Sequence, residues 1–134
     1  VLVGPDSESE PFVSAVARTI GAPHWVFNKS RHGERNVTLT APLYAPINGL
    51  RILLVDDVCA SGGTLIAATQ CLQKAGAQSV EAVVTHALFS SEDGAAMASA
   101  GLRMVRSCDG CAHPTNAFPL APILAEALRQ EGLA

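Results

Sequence analysis

Positive charge is scarce in this sequence. Nine Lys and Arg face twelve Asp and Glu, which gives a net charge of -3 at pH 7 with the histidines neutral. A protein that tracks a nucleic-acid backbone needs a basic field to displace counterions, and no block of Lys and Arg supplies one locally. Nucleic acid is therefore excluded as the main partner. Long apolar runs are also missing. Charges, Gly or Pro interrupt every candidate before the ~20 residues that a membrane helix needs, so no membrane partner is expected. A basic start followed by an apolar signal core is absent, and so is an initiator Met; the opening VLVGPDSESE reads as a trimmed or excised chain. Only four cysteines occur, at 59, 71, 108 and 111. A chain of 134 residues can fold on its own core without a disulfide framework, which makes a reducing cytoplasm the expected location. Repeats and low-complexity linkers are lacking, and one compact domain over 1–134 is the expectation.

What is present alternates between apolar strands and helical patterns, the signature of an α/β fold with a mainly parallel sheet. VLVG at 1–4 reads as a buried strand. Phe12, Val13, Val16, Ala17 and Ile20 follow at helical spacing, behind acids that favour the positive end of a helix, and Gly21, Ala22, Pro23 ends the run. HWVFN at 24–28 reads as a strand. KSRHGER at 29–35 then breaks the pattern and reads as an exposed mobile loop, before NVTLTA at 36–41 resumes alternation. RILLV at 51–55 is a central strand, 63–76 a helix, 79–89 a strand, 90–101 a helix, 102–108 a strand and 120–133 an amphipathic helix. The Leu and Ala stripe at 120–128 reads as core or subunit packing.

The chemistry concentrates in RILLVDDVCASGGT, residues 51–64. A parallel strand running through a glycine-containing loop into a helix converges backbone N–H groups and the positive helix end on one spot, which favours an anion. Gly62 and Gly63 permit close approach and unusual dihedrals, while Ser61 and Thr64 add hydroxyl donors. Two carboxylates beside such a phosphate seat repel the ligand unless they address sugar hydroxyls or a magnesium ion that accompanies it. Asp56 and Asp57 therefore point to a sugar with neighbouring hydroxyls. The pattern is neither GxxxxGK followed by Ser or Thr nor GxGxxG.

LLVDDVCASGGTL, residues 53–65, resembles the thirteen-residue fingerprint of the families that bind phosphoribosyl pyrophosphate, with Ser61 in place of the usual Thr. The flanks narrow the resemblance. GPDSESEPFVSAVARTIGAP at 4–23 and NKSRHGERNV at 28–37 resemble segments of ribose-phosphate diphosphokinases, the phosphoribosyl pyrophosphate synthetases, in their divergent PDxESE branch. THALFS, HPTNAF and LAPILAEAL resemble the carboxyl-terminal half of the same enzymes. The resemblance implies a type I phosphoribosyltransferase-like fold with a flexible catalytic loop. It also implies transfer of diphosphate from ATP to the C1 hydroxyl of ribose 5-phosphate, giving phosphoribosyl pyrophosphate and AMP. Asp6 then matches a carboxylate on the magnesium held with ATP. Lys29 and Arg31 match the catalytic pair, Arg31 also contacting substrate, and a point charge with a fork suits an electrostatically stabilised phosphoryl transition state. Asp56, Asp57, Ala60, Ser61, Gly62, Gly63 and Thr64 match the ribose 5-phosphate loop. A homo-oligomer is implied, as is an amino-terminal half carrying much of the ATP site, without which this chain is expected to bind ribose 5-phosphate but not to turn over.

Three positions depart from the pattern: Ala60 stands where Asp or Ser is usual, Gly110 where Thr is usual, and Cys111 replaces an apolar residue. Two other functions stay open on the residues, a phosphoribosyltransferase that uses the finished donor and a noncatalytic ribose-phosphate-binding homologue. Elsewhere the ordinary reading holds. Cys108-x-x-Cys111 with His113 falls short of four zinc ligands. His86 reads as a hydrogen-bonded strand end, His24 as structural, and His32 and Arg35 as solvated.

Overall fold

A computed structural model describes residues 1–31, 37–40 and 46–133, with 28–31 and 37–40 described by their backbone alone. Strands β1 (Leu2–Gly4), β2 (His24–Val26), β3 (Asn28–Arg31), β4 (Val37–Thr40), β5 (Arg51–Cys59), β6 (Ser79–Ala87), β7 (Val105–Cys108) and β8 (Asn116–Phe118) are joined by helices α1 (Glu10–Ile20), α2 (Gly63–Lys74), α3 (Ser91–Ser99) and α4 (Ala121–Gln130). Six strands form one sheet in the order β2-β1-β5-β6-β7-β8, every neighbouring pair parallel. β3 and β4 form a separate antiparallel pair.

The alternation read from the sequence explains the layers. Successive side chains of a strand point to opposite faces, so β5 sends Ile52 and Leu54 one way and Val55 the other. Ile52 and Leu54 join Leu65, Ala68 and Leu72 of α2, Ala82 and Val84 of β6 and Met97 of α3 in the main core. Val55 joins Leu2 and Val13 beneath α1. The chain leaves β1 through α1 to β2 on one side and returns through β5 on the other. The strand order thus reverses between β1 and β5, the place where open α/β sheets bind ligands beyond the carboxyl ends of their strands.

Several elements differ from expectation. The cationic segment expected as a loop contributes Lys29 to Arg31 to β3, paired with β4 through Lys29 with Leu39 and Arg31 with Val37; 32–36 lie outside the described residues. Local cation density outweighed the extended pattern on either side, although strand pairing is set by the partner strand. β5 runs four residues past RILLV, because its ladder with β6 continues through Asp56 with Val84, Val58 with His86 and Cys59 with Ala87. HPTNAF contains β8, unforeseen between Pro114 and Pro119. The stripe on α4 is not core: Ile123 is 62% exposed and Leu124 59%. Helical periodicity identifies an apolar face, not what covers it.

Candidate functional site

The carboxyl end of β1 leads through Pro5 to Asp6, which initiates a short 3-10 turn over Ser7–Ser9. Asp6 Oδ1 accepts the backbone N–H of Glu8 at 3.1 Å and of Ser9 at 3.2 Å, and the Ser9 hydroxyl donates to the Asp6 carbonyl at 2.6 Å. The side-chain cap satisfies two donors that the turn leaves unpaired. Asp6 therefore performs the ordinary capping role of its residue type, and its carboxylate is fixed by that cap at the rim of the crevice between β1 and β5.

Across the crevice, β5 carries Asp56, half-buried, and Asp57, exposed. Asp56 Oδ1 accepts the Asp57 N–H at 3.1 Å, and Asp57 Oδ1 accepts the Val58 N–H at 2.7 Å. These local bonds hold both carboxylates at the strand end. A cavity of about 260 Å³ lies between Asp6, Asp56, Asp57, Phe12, Val58 and Thr64. Burial pushes the Asp56 carboxyl up to about 6, and the neighbouring negative charges of Asp57 and Asp6 push in the same direction, against a lowering by the Asp57 N–H. Desolvation and like charge are the two reasons a carboxylate gains a proton. The same crowding of hard oxygen donors suits a magnesium ion, which takes one or two carboxylates and completes its shell with water and substrate phosphate. Among the described residues, no three His, Cys, Asp or Glu side chains are arranged to hold a metal by themselves.

A second cavity, about 140 Å³, adjoins the first, sharing Asp56, Val58 and Thr64, and is walled by Ala60, Ser61, Gly62 and Gly63. It faces the start of α2. Gly62, the N-cap, has φ of 75° and offers no capping side chain, so the first N–H groups of α2 face the cavity end without a side-chain acceptor. Such a helix end presents donors and a positive dipole to an anion. The two glycines differ in what they do. A Cβ on Gly62 would meet Met97 Sδ at 2.5 Å, whereas one on Gly63 would find only Ser61 Oγ at 3.9 Å. Gly62 is therefore required by backbone and packing. Gly63 has an ordinary helical backbone, contrary to the unusual dihedral expected of it, and keeps the loop surface low where an anion would approach.

The topology thus brings Asp6, Asp56, Asp57 and the loop 60–64 to one sheet edge, a carboxylate half beside a donor half. Lys29 and Arg31 lie on β3, outside this sheet, and His32 and Arg35 lie outside the described residues. Phe12 and Val58, the apolar walls of the first cavity, were not foreseen; both are exposed, as other large apolar side chains of the domain are, and no sequence pattern marks them. Of the histidines, His113 has both ring nitrogens engaged, Nε2 with the Phe89 carbonyl at 3.0 Å and Nδ1 with the Thr115 hydroxyl at 2.7 Å. That makes it a structural strut. His24 Nε2 faces Glu10 Oε1 at 3.4 Å.

Residues 1–126 match the family model described as the phosphoribosyl transferase domain. A curated ribose-phosphate pyrophosphokinase of Maricaulis maris is 30% identical over 138 residues, covering 97% of this chain and 44% of that protein. One from Pyrococcus furiosus is 33% identical over 90 residues, covering 67% of this chain and 32% of that protein. The chain thus spans less than half the length of these relatives. A crystal structure of phosphoribosylpyrophosphate synthetase from Mycobacterium smegmatis superposes with a TM-score of 0.71 at 24% identity, covering 98% of this chain and 44% of that one.

Proposed function

The chain belongs to the phosphoribosyl transferase domain family, and from that premise we propose that it is the ribose-phosphate-binding half of a ribose-phosphate diphosphokinase. The reaction is transfer of diphosphate from ATP to the C1 hydroxyl of ribose 5-phosphate, yielding phosphoribosyl pyrophosphate and AMP. One observation carries this reading: the switch-point crevice has a donor-rich end and a carboxylate-rich end in contact through Asp56, Val58 and Thr64. A sugar phosphate has the same two-part chemistry. The 5-phosphate sits against the N-terminus of α2 and the Ser61 and Thr64 hydroxyls, and the ribose hydroxyls donate to Asp56 and Asp57. Asp6, on the opposite rim, would hold a magnesium ion, which would supply charge neutralisation at the diphosphate. Lys29 and Arg31, carried by β3, stabilise the charge that develops on the phosphoryl oxygens. The names of the curated relatives favour this reaction over the use of finished donor by a phosphoribosyltransferase. The chain spans under half of those relatives; in this reading an amino-terminal domain completes the ATP site, and the enzyme is a cytoplasmic homo-oligomer.

The test joins this chain to the amino-terminal half of a curated relative and measures AMP formed from ATP and ribose 5-phosphate. AMP production is expected, with Lys29→Ala abolishing it while ribose 5-phosphate still binds. Binding without AMP overturns the diphosphokinase reading in favour of a noncatalytic homologue. Release of pyrophosphate from phosphoribosyl pyrophosphate only when a nucleobase is added overturns it in favour of a phosphoribosyltransferase.

A further inference from the structure

The turn after β7 carries chemistry that the ribose-phosphate site does not use. Cys108 ends β7, Asp109 and Gly110 form the turn, and Cys111 follows, both thiols being partly exposed. The turn is held on three sides. Asn116 Nδ2 donates to the Cys108 carbonyl at 2.6 Å, the Asp109 N–H donates to the Phe118 carbonyl at 3.0 Å, and Asp109 Oδ1 accepts the Leu120 N–H at 2.8 Å. It also lies directly on a histidine. A Cβ on Gly110 would come within 3.3 Å of His86 Cε1, so the bare glycine lets the turn close onto the ring. Cys111 Sγ consequently lies 3.8 Å from His86 Nδ1, within reach for the thiol to donate its proton.

The turn spacing suits a disulfide. A four-residue turn brings its outer Cα atoms within ~7 Å, and a disulfide bridges Cα atoms about 4.4–6.8 Å apart. Neither Cys108 nor Cys111 is in a disulfide here. We propose that Cys108 and Cys111 form a reversible thiol–disulfide site whose oxidant is a hydroperoxide, with Cys111 as the attacking thiol and His86 as the acceptor of its proton. Cys111 sulfur attacks the distal oxygen of the peroxide as its proton passes to His86 Nδ1. The O–O bond breaks, water or alcohol leaves with that proton, and Cys111 becomes a sulfenic acid. Cys108 then attacks the Cys111 sulfur, the S–O bond breaks, and water leaves with the Cys108 proton. Two thiols and one hydroperoxide thus give one disulfide, one water and one further water or alcohol, and an external thiol reverses the change. The roles are asymmetric for a physical reason. Burial and the Asp109 carboxylate both raise the Cys108 thiol, which suits it to resolve the sulfenic acid at close range rather than to attack first. Cys59 is no competitor: it is 3% exposed, and burial first and the Asp56 charge second push its thiol up to about 11.

The experiment exposes the full chain to one equivalent of hydrogen peroxide at neutral pH, quenches with an alkylating agent, and maps the peptides by mass spectrometry. The expected product is a peptide linked through Cys108 and Cys111, two hydrogens lighter and restored by dithiothreitol. Cys108→Ser should stop the reaction at a Cys111 sulfenic acid trapped by dimedone, and His86→Gln should slow that trapping about tenfold or more at unchanged circular dichroism. Three results overturn the proposal: linkage through Cys59 or Cys71, no linked peptide, or a Cys111 oxidation rate in His86→Gln equal to that of the parent. None of these readouts involves ribose 5-phosphate, so they stand or fall apart from the proposed function.

Discussion

Asp56 occupies a position where its charge works against the fold. Burial raises its carboxyl from an ordinary value of 3.8 to about 6, with Asp57 and Asp6 adding repulsion. The folded state therefore binds this proton more tightly than the unfolded chain does. Its contribution to stability is fully present below about pH 4 and is lost as pH rises through about 6. Asp56→Asn keeps an oxygen to accept the Asp57 N–H while removing the charge. At pH 8 and without ligand, the variant should be more stable than the parent, on the order of 1–2 kcal/mol once solvent screening of a half-buried group is allowed for. The difference should vanish by pH 4. Urea unfolding across that range measures it, and a variant less stable than the parent at pH 8 would refute the account. Two acids after an apolar run are legible in the sequence as a feature that strand packing does not call for. Asp6 is different, because an Asp before a helix serves equally as a cap, and the structure shows it capping. Phe12 and Val58 were illegible, since exposure of a single apolar side chain follows from the tertiary arrangement alone.

At the scale of elements, the start of α2 separates two kinds of glycine. Gly62 holds a left-handed backbone and packs against Met97, so Gly62→Ala meets both a conformational penalty and a clash. A loss of about 2–4 kcal/mol in urea unfolding is expected. Gly63→Ala sits on a helical backbone in open space and should leave stability within about 0.5 kcal/mol of the parent, yet weaken ribose 5-phosphate in a calorimetric titration by blocking close approach to the helix end. Equal stability of the two variants would show that the loop does not need this backbone. The order of strands and helices around this loop was legible because the apolar periods of two and 3.6 are strong there. β8 was not, because three residues flanked by prolines carry no period, and the strand exists through its ladder with β7. The extension of β5 was hidden by its own acids, since charge at a strand end reads as loop until the partner strand is known. The α4 stripe was legible as an apolar face, but its exposure follows from the tertiary arrangement rather than from the helix.

At the scale of the whole molecule, the position of the site follows from winding. A larger cavity, about 760 Å³, lies elsewhere on the sheet, and its Arg106 and Glu81 side chains pair with each other at 3.1 Å. Charged groups that satisfy one another leave less chemistry for a ligand than the crowded carboxylates and helix end at the reversal of strand order. That reversal assigns the two halves of the seat to different parts of the chain: the rim with Asp6 follows β1, and Asp56 to Thr64 run from the end of β5 into the start of α2. A ligand that touches both rims therefore links segments about fifty residues apart and should stabilise the domain as a unit. At a hundred times its dissociation constant, a ligand specific for the folded state adds about 2.7 kcal/mol. With magnesium present, ribose 5-phosphate should raise the melting temperature by several degrees, while ribose or inorganic phosphate at the same concentration should raise it by much less. A differential scanning experiment decides the matter. If phosphate alone produced the full shift, the helix end would be an isolated anion seat, and the joining of sugar and phosphate subsites across Asp56 would be wrong.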